Sequence, residues 1–162
     1  MIEIATTLAY NAVMADTEDT STTWSLFLRT HAVLVEKIEA RLKEEGLPAL
    51  SWYDVLWALE SAPRRRLRMH ELARGVVLSR SNLTRLVDRL EEAGLARRES
   101  SEDDGRGAHA AITAKGLAMR KKMWPTYRAC IEDLFNRRIP AATRAAIQKA
   151  FRSVLESEAK GG

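Results

Sequence analysis

The sequence predicts a mainly α-helical fold with a small β-hairpin, and three observations support this prediction. Apolar residues recur at three-to-four spacing through most of the chain, which is the pattern of amphipathic helices. The pattern changes to short alternating runs at residues 95–99 and 108–113, which predicts two strands joined by a turn. Gly46, Pro63 and Gly94 stand between the helical segments, where helices are expected to end.

Composition limits the class of protein. With 162 residues, the chain can form one domain with a hydrophobic core and one further element that a partner must cover. Its apolar segments are all shorter than the roughly 18 residues that a membrane span needs, so we expect no membrane association. The N-terminus lacks a basic leader before its apolar residues, so we expect a cytoplasmic protein.

Cysteine and histidine usage argues against disulfides and metal sites. Cys130 is the only cysteine, and His31, His70 and His109 are widely separated. Metal sites need such ligands in clusters, so we expect neither a metal nor another cofactor.

Charge is unevenly distributed, since residues 1–63 are net acidic and the rest of the chain is net basic. A basic region of this extent favours an anionic partner.

Two amphipathic helices begin the predicted fold. The apolar spacing across residues 24–42 predicts the first helix, which Gly46 ends. Ser51 stands three residues before Asp54, which predicts a capping box at the start of the second helix. Pro63 ends that helix.

A helix-turn-helix is predicted next. After a basic connector that contains Arg66 and Arg68, residues 69–76 form a short helix, and residues 79–93 form a longer one. The longer helix buries an apolar stripe at i, i+3, i+4 and i+7, made of Leu83, Leu86, Val87 and Leu90. The two strands that follow form a wing, so the predicted architecture is a winged helix-turn-helix.

The polar side of the longer helix is suited to the major groove of duplex DNA. Its N-terminal part carries hydroxyl, amide and guanidinium side chains: Ser79, Arg80, Ser81, Asn82, Thr84 and Arg85. Arg89 flanks the same face further along the helix. Arginine binds guanine through two acceptors, asparagine binds adenine, and threonine contacts the thymine methyl group. Each good pair discriminates by about 1–3 kcal/mol. A solvated polar face is the alternative, and the adjacent wing favours DNA.

The wing supplies a second basic element. Arg106 projects from a tip flanked by glycines, and arginine is attracted to the negative potential of the minor groove. Arg66 and Arg68 in the connector either bind phosphates or belong to a solvated loop. The residues leave these two interpretations open.

An enzyme is not expected. The sequence has no serine in a nucleophile-elbow pattern and no phosphate-binding glycine loop, since its hairpin glycines fall in the wing. A metal-sensing winged-helix repressor of the ArsR type would need clustered cysteine or histidine.

The central motifs resemble those of MarR-family regulators. Residues 71–73 (Glu-Leu-Ala) and 78–91 (Leu-Ser-Arg-Ser-Asn-Leu-Thr-Arg-Leu-Val-Asp-Arg-Leu-Glu) look like the signature of that family. Residues 94–98, 104–107 and 112–116 resemble its wing and the start of its dimerisation helix.

This resemblance covers residues 24–155 and implies a homodimer. It places a DNA-binding lobe at residues 50–113, dimerisation helices at 24–45 and 114–158, and an N-terminal extension at 1–23. Two recognition helices would then occupy successive major grooves of a pseudo-palindromic operator. In that family the wing aspartate and arginine contact each other, and the arginine enters the minor groove.

By position, Asp104 and Arg106 take those wing roles. The wing departs from the family pattern in its extra Asp103 and in lacking a second arginine after Gly107.

The resemblance also implies control by a small aromatic or anionic effector. The corresponding cleft would be lined by His31, Trp52, Tyr53, Trp57 and Met123, or by Met119 in place of Met123. Each of these side chains has the alternative interpretation of an ordinary core residue. For Cys130 the residues favour burial as a small apolar side chain over redox sensing. The resulting prediction is a transcriptional repressor relieved by a ligand; the alternative is an architectural winged-helix DNA binder without ligand control.

Overall fold

The structure is a computed structural model that describes residues 20–76, 80–100 and 108–160. Several predicted features lie outside these residues, or have side chains that do. They are most of the N-terminal extension, the capping residue Ser79, the side chains of Arg80 and Ser81, and the wing-tip residues Asp104 and Arg106.

Within the described residues the chain forms six α-helices and three strands. In chain order they are α1 Thr20–Glu44, α2 Leu50–Ser61, β1 Arg66–Arg68, α3 Met69–Gly75, α4 Arg80–Glu92, β2 Ala96–Ser100, β3 Ala108–Ile112, α5 Ala114–Ile131 and α6 Ala141–Lys160. A 3-10 turn, Pro63–Arg65, follows α2, and a π-helical turn, Glu132–Asn136, follows α5. The predicted fold class is confirmed: the protein is mainly helical with a small antiparallel sheet.

The sheet has one strand more than the sequence predicts. Its order is β1-β3-β2, with both neighbours antiparallel to β3. Arg66 of β1 and Arg97 of β2 pair with Ala111 of β3 from its two sides. The basic connector is therefore partly a strand rather than a loop, because Leu67 lies between two arginines and packs against the core.

The capping box predicted at Ser51 is wrong. Helix α2 begins at Leu50, after Ala49, and no side chain of its own caps it. The Leu50 N–H instead donates to Glu39 Oε1 of α1 at 2.9 Å. A carboxylate from the preceding helix thus satisfies a backbone donor that would otherwise lack a partner.

Two buried clusters stabilise residues 38–162. The larger one packs α2, α3, α4 and the sheet together through residues that include Val55, Leu56, Leu59, Leu72, Leu83, Leu86, Leu90 and Ala110. The smaller one joins the end of α1 to α2 and α5 through Ile38, Leu42, Leu50, Tyr53, Met123 and Cys130. Helix α2 contributes to both clusters and therefore connects α5 to the helix-turn-helix.

The chain divides into two compact units, Met1–Lys37 and Ile38–Gly162. The described part of the first unit is the beginning of α1, which exposes Trp24 and Phe27 with their ring centroids 5.7 Å apart. In the second unit, α6 exposes Phe151 and Leu155. In the described part of the chain, no helix is both long enough and apolar enough to cross a membrane.

Candidate nucleic-acid interface

Helix α4 has the two-sided character that the sequence predicts for a recognition helix. Leu83, Leu86, Val87 and Leu90 are at most 1% exposed and lie in the larger buried cluster. Asn82, Thr84, Arg85 and Arg89 are exposed on the other side. Burial of the apolar stripe fixes the rotation of the helix about its axis, so these polar side chains are held outward.

A groove lined mainly by polar residues runs beside this exposed side of α4. It has a volume of about 630 Å³ and is lined by Ser51, Asn82, Arg85, Leu86, Asp88 and Arg89. Among the described residues, neither Arg85 nor Arg89 has a carboxylate partner within 4.0 Å. Two guanidinium groups one helical turn apart are therefore available to an anionic ligand.

Two acidic residues of α4 contact the wing. Asp88 forms an ion pair with Arg98 of β2, and Glu91 Oε2 lies 3.6 Å from the same guanidinium. The backbone N–H of Arg98 donates to Glu91 Oε1 at 2.8 Å. These contacts neutralise negative charge close to the groove and attach the wing to the recognition helix. This role of Arg98 is not predictable from the sequence, because the contact between β2 and α4 forms only through tertiary packing.

A carboxylate between two arginines stabilises the outer side of the sheet. Glu99 Oε1 lies 2.7 Å from Arg97 Nη2, and Glu99 Oε2 lies 3.3 Å from Arg66 Nη1. The hydrogen bond from Arg97 holds the pKa of Glu99 below its ordinary value, and the hydrogen bond from Arg66 adds to the effect. Arg66, predicted as a phosphate contact or a loop residue, thus also cross-links strands β1 and β2.

Arg68 lies at the junction between β1 and α3. Its backbone N–H donates to Glu71 Oε2 at 2.8 Å, so Glu71 caps the short helix. Arg68 lies on the same side of the sheet as Arg66, because the two residues are separated by two positions on a strand.

The start of α5 is attached to the end of α4. Gly94 ends α4 with a φ of 71°, in the left-handed region that favours glycine. Thr113 caps α5 by accepting from the Gly116 N–H at 3.0 Å, and its hydroxyl donates to the Gly94 carbonyl at 2.7 Å. The ammonium group of Lys115 donates to the Ala93 carbonyl at 2.7 Å.

Gly116 makes the closest approach at this junction. A Cβ atom on Gly116 would lie 2.1 Å from the Leu95 carbonyl oxygen and 2.8 Å from Ile112 Cγ1. Only glycine therefore fits at this position, where α5 crosses the backbone of Leu95.

One turn further along α5, an ion pair connects this helix to α2. The guanidinium of Arg120 contacts Glu60 through two nitrogens: Nε approaches Oε2, and Nη2 lies 3.2 Å from Oε1. The side chains are 16% and 23% exposed, respectively. This two-point contact, which consists of one hydrogen bond and one close ion-pair approach, restricts the relative movement of the two groups.

Comparison with known proteins identifies the family. A model of the MarR family matches residues 45–107. The HTH-type transcriptional repressor Rv2887 of Mycobacterium tuberculosis is 31% identical over 131 residues, which cover 81% of this chain and 88% of the relative. The chain belongs to the MarR family.

Two further proteins are similar to this MarR-family chain. The transcriptional repressor MprA of Escherichia coli is 29% identical over 111 residues, which cover 68% of this chain but only 62% of MprA. The MarR-family regulator Sco3205 of Streptomyces coelicolor, solved in complex with DNA, has a TM-score of 0.79 and 28% identity, covering 87% of this chain and 92% of that one. These relatives are transcriptional regulators, which is a non-enzymatic role.

The residues expected to line a MarR-family effector cleft are only partly brought together. Tyr53 and Met123 belong to the smaller buried cluster, with Met119 packed against it. Trp52 packs against the larger cluster instead, and Trp57 is 55% exposed. His31 is an exposed residue of α1 in the N-terminal unit.

An aromatic cluster with a carboxyl group lies beside Tyr53. The Tyr53 ring stacks near Trp124, with centroids 6.0 Å apart, and meets Tyr127 edge-on at 4.9 Å. Burial raises the pKa of Asp54 from 3.8 to about 6, and the neighbouring charge of Glu39 adds to the shift. Burial raises the pKa of the Tyr127 hydroxyl as well, with Asp54 contributing.

Cys130 lies in the same region and is 7% exposed. Burial raises the pKa of its thiol, which keeps the unreactive protonated form at neutral pH. It therefore acts as a small core residue, as the sequence analysis favours.

Proposed function

We propose that this chain is a cytoplasmic transcriptional repressor that binds duplex DNA in a sequence-specific manner. The observation that carries this proposal is helix α4, whose leucines are buried while Asn82, Arg85 and Arg89 point outward along a polar groove. A major groove admits one α-helix with such side chains. The repressor names of Rv2887 and MprA, and the DNA complex of Sco3205, support the same role.

The proposed contacts divide into those that specify sequence and those that position the protein. Arg85 and Asn82 would bind guanine and adenine edges, with Thr84, Arg89, Ser79, Arg80 and Ser81 on the same helix surface completing the contact. Arg66 and Arg68 would bind phosphates from β1 without reading sequence. Asp104 and Arg106 would place the wing in the minor groove, as the family resemblance implies.

We propose further that the repressor is a homodimer. Large apolar side chains remain exposed at both ends of the chain: Trp24, Leu26 and Phe27 on α1, and Phe151, Val154 and Leu155 on α6. Exposed apolar surface of this kind is typical of an interface between subunits. A two-fold dimer would present two α4 helices about one turn of DNA apart, which calls for a pseudo-palindromic operator.

Release by a small aromatic or anionic effector completes the proposed cycle. The aromatic cluster of Tyr53, Trp124 and Tyr127 supports the aromatic part of this proposal. The carboxyl group of Asp54 beside it favours an uncharged aromatic compound over an anion. His31, Trp52, Trp57 and Met123 remain the other proposed contacts.

DNA binding can be tested by selecting bound fragments from the parent genome and measuring affinity for the best of them. Arg85→Ala should relax base preference at one position of each half-site, at a cost of about 1–3 kcal/mol. Arg66→Ala should weaken binding to all sequences alike and lower the slope of affinity against salt by about one.

Arg41→Ala is the matched control, because Arg41 is an exposed arginine of α1 that pairs with Glu44 on the same helix. Unchanged sequence preference in the Arg85 variant would contradict the assignment of α4 to the major groove.

A ligand screen that follows DNA release tests the effector. A panel of neutral and anionic aromatic compounds without any effect would favour the architectural role instead.

A further inference from the structure

Glu60 and Arg120 join the DNA-binding part of the chain to the long helix α5. Glu60 lies in the last turn of α2, and Arg120 lies in the second turn of α5. Their two-point contact bridges 60 positions of sequence and is largely shielded from water. One hydrogen bond together with a close ion-pair approach restricts the relative movement of the two groups more than an isolated hydrogen bond would.

A second attachment lies about one turn earlier on the same helix. There Lys115 donates to the Ala93 carbonyl, and Gly116 lies against the Leu95 backbone. The residues Gly116 and Arg120 are about 6 Å apart along the helix axis, at 1.5 Å per residue. One attachment would allow α5 to pivot, but two separated attachments set its direction.

The two attachments contact different helices of the DNA-binding lobe. The earlier one lies at the end of α4, and the later one lies on α2, whose Val55, Leu56 and Leu59 share the larger buried cluster with α4. Since these buried contacts transmit the position of α2 to α4, a change at Glu60 alters the angle between α4 and α5.

We propose that the Glu60–Arg120 pair is a positioning element that fixes the orientation of the recognition helix relative to α5. In the homodimer proposed above, on which this inference rests, that orientation sets the distance between the two recognition helices. The pair therefore determines the half-site spacing that the repressor accepts, although neither residue contacts DNA.

Spacing preference is the readout that a purely structural role would not change. Operators are made with the natural spacing and with one base pair added or removed between half-sites, which moves a half-site by about 3.4 Å and rotates it by about 35°. The unaltered protein should prefer one spacing sharply. Glu60→Gln should lower affinity for that operator about tenfold and flatten the preference across the three operators.

A matched control is Asp133→Asn, which makes the same change in charge. Asp133 pairs with Arg137 one turn away on a solvent-exposed surface, with side chains 53% and 70% exposed, respectively. This variant should keep the sharp preference. The double reversal Glu60→Arg with Arg120→Glu restores a two-point contact and should recover part of the preference lost in Glu60→Gln.

A second variant keeps the test valid if Glu60→Gln fails to fold. Replacing both residues by methionine retains apolar packing and removes the ion pair, a change that buried pairs often tolerate. It should flatten the spacing preference as Glu60→Gln does. A sharp, unshifted preference in whichever of these variants folds would overturn the inference.

A measurement without DNA separates this inference from the proposed function. Spin labels at Glu92→Cys, in a Cys130→Ser background, report the distance between recognition helices in the dimer. Glu60→Gln should broaden that distance distribution, and an unchanged distribution would overturn the positioning role. Failure of the unaltered chain to bind any genomic fragment would instead overturn the proposed function, whatever the label distances are.

Discussion

At the scale of single residues, two arginines of this protein bind carboxylates that lie on a different secondary-structure element. Arg98 binds Asp88 and Glu91 on the recognition helix, and Arg120 binds Glu60 on α2. The sequence predicts on which side of an element an arginine lies, but it does not predict which carboxylate that arginine contacts. Such partners are brought together only by tertiary packing.

The exposed polar residues of α4, in contrast, can be predicted from the sequence alone. The exposure of Asn82, Thr84, Arg85 and Arg89 follows from the spacing of Leu83, Leu86 and Leu90 alone, because helix periodicity is local. Arg66 was predictable as a basic surface residue, whereas its contact with Glu99 depends on a strand that the sequence analysis missed.

Asp54 should make stability depend on pH in a direction unusual for a carboxyl group. The folded protein retains the Asp54 proton up to about pH 6, whereas the unfolded chain loses it near 3.8. Between these values the folded state binds more protons than the unfolded chain. The contribution of Asp54 to the free energy of unfolding therefore decreases as the pH rises from about 4 to 6, and it stays low above pH 6. Partial exposure of Asp54 limits the effect to about 1 kcal/mol.

Asp54→Asn should therefore raise the free energy of unfolding at pH 7.5 by about 1 kcal/mol and lose this advantage near pH 4. Urea denaturation between pH 4 and pH 8 measures the difference between the variant and the unaltered protein. Glu156→Gln, at an exposed position of α6, serves as the control. A difference that does not vary with pH would contradict the raised pKa.

At the scale of elements, periodicity and helix-ending residues predict most of the fold. The boundaries of α3, α4, β2 and β3 agree with the sequence to within about one residue. The start of α2 was wrong because its backbone donor is satisfied by Glu39 from another helix. The π-helical turn after α5 was also missed, because no local residue pattern distinguishes it from a continuing helix.

The junction between the wing and α5 gives the sharpest prediction for an element. Gly116→Ala should lower the free energy of unfolding by about 2 kcal/mol, because the added Cβ must displace the Leu95 carbonyl. Gly75→Ala is the matched control, since no atom lies within 4 Å of its added Cβ. Urea denaturation should show Gly75→Ala unchanged or slightly stabilised, and equal stability of the two variants would argue against a tight junction.

At the scale of the whole molecule, unburied apolar side chains mark the parts of the chain that lack a covering partner. Phe151, Val154 and Leu155 of α6 are 48%, 61% and 70% exposed, respectively. Beside Phe151 and Leu155 lies a mainly apolar groove of about 560 Å³ that Phe135 and Ile147 also line. Such a surface favours self-association of the chain over a stable monomer.

Leu155→Glu should weaken this self-association at least tenfold, because it places a charge in the apolar interface. Sedimentation of the free protein over a range of concentrations measures the dissociation constant. Lys149→Gln makes the same change in charge at an exposed position of the same helix and should leave association intact. A protein that is monomeric before any substitution would contradict the dimer.

The ion pair between Glu60 and Arg120 also bears on how MarR-family DNA-binding lobes could be exchanged to make repressors of new specificity. A transplanted segment that ends at residue 113, where the sequence suggests a boundary, would carry Glu60 into a host that supplies its own α5. A segment extended through Arg120 would bring both attachments with it. Chimeras joined after this residue should keep the operator spacing of the donor, and those joined earlier should not.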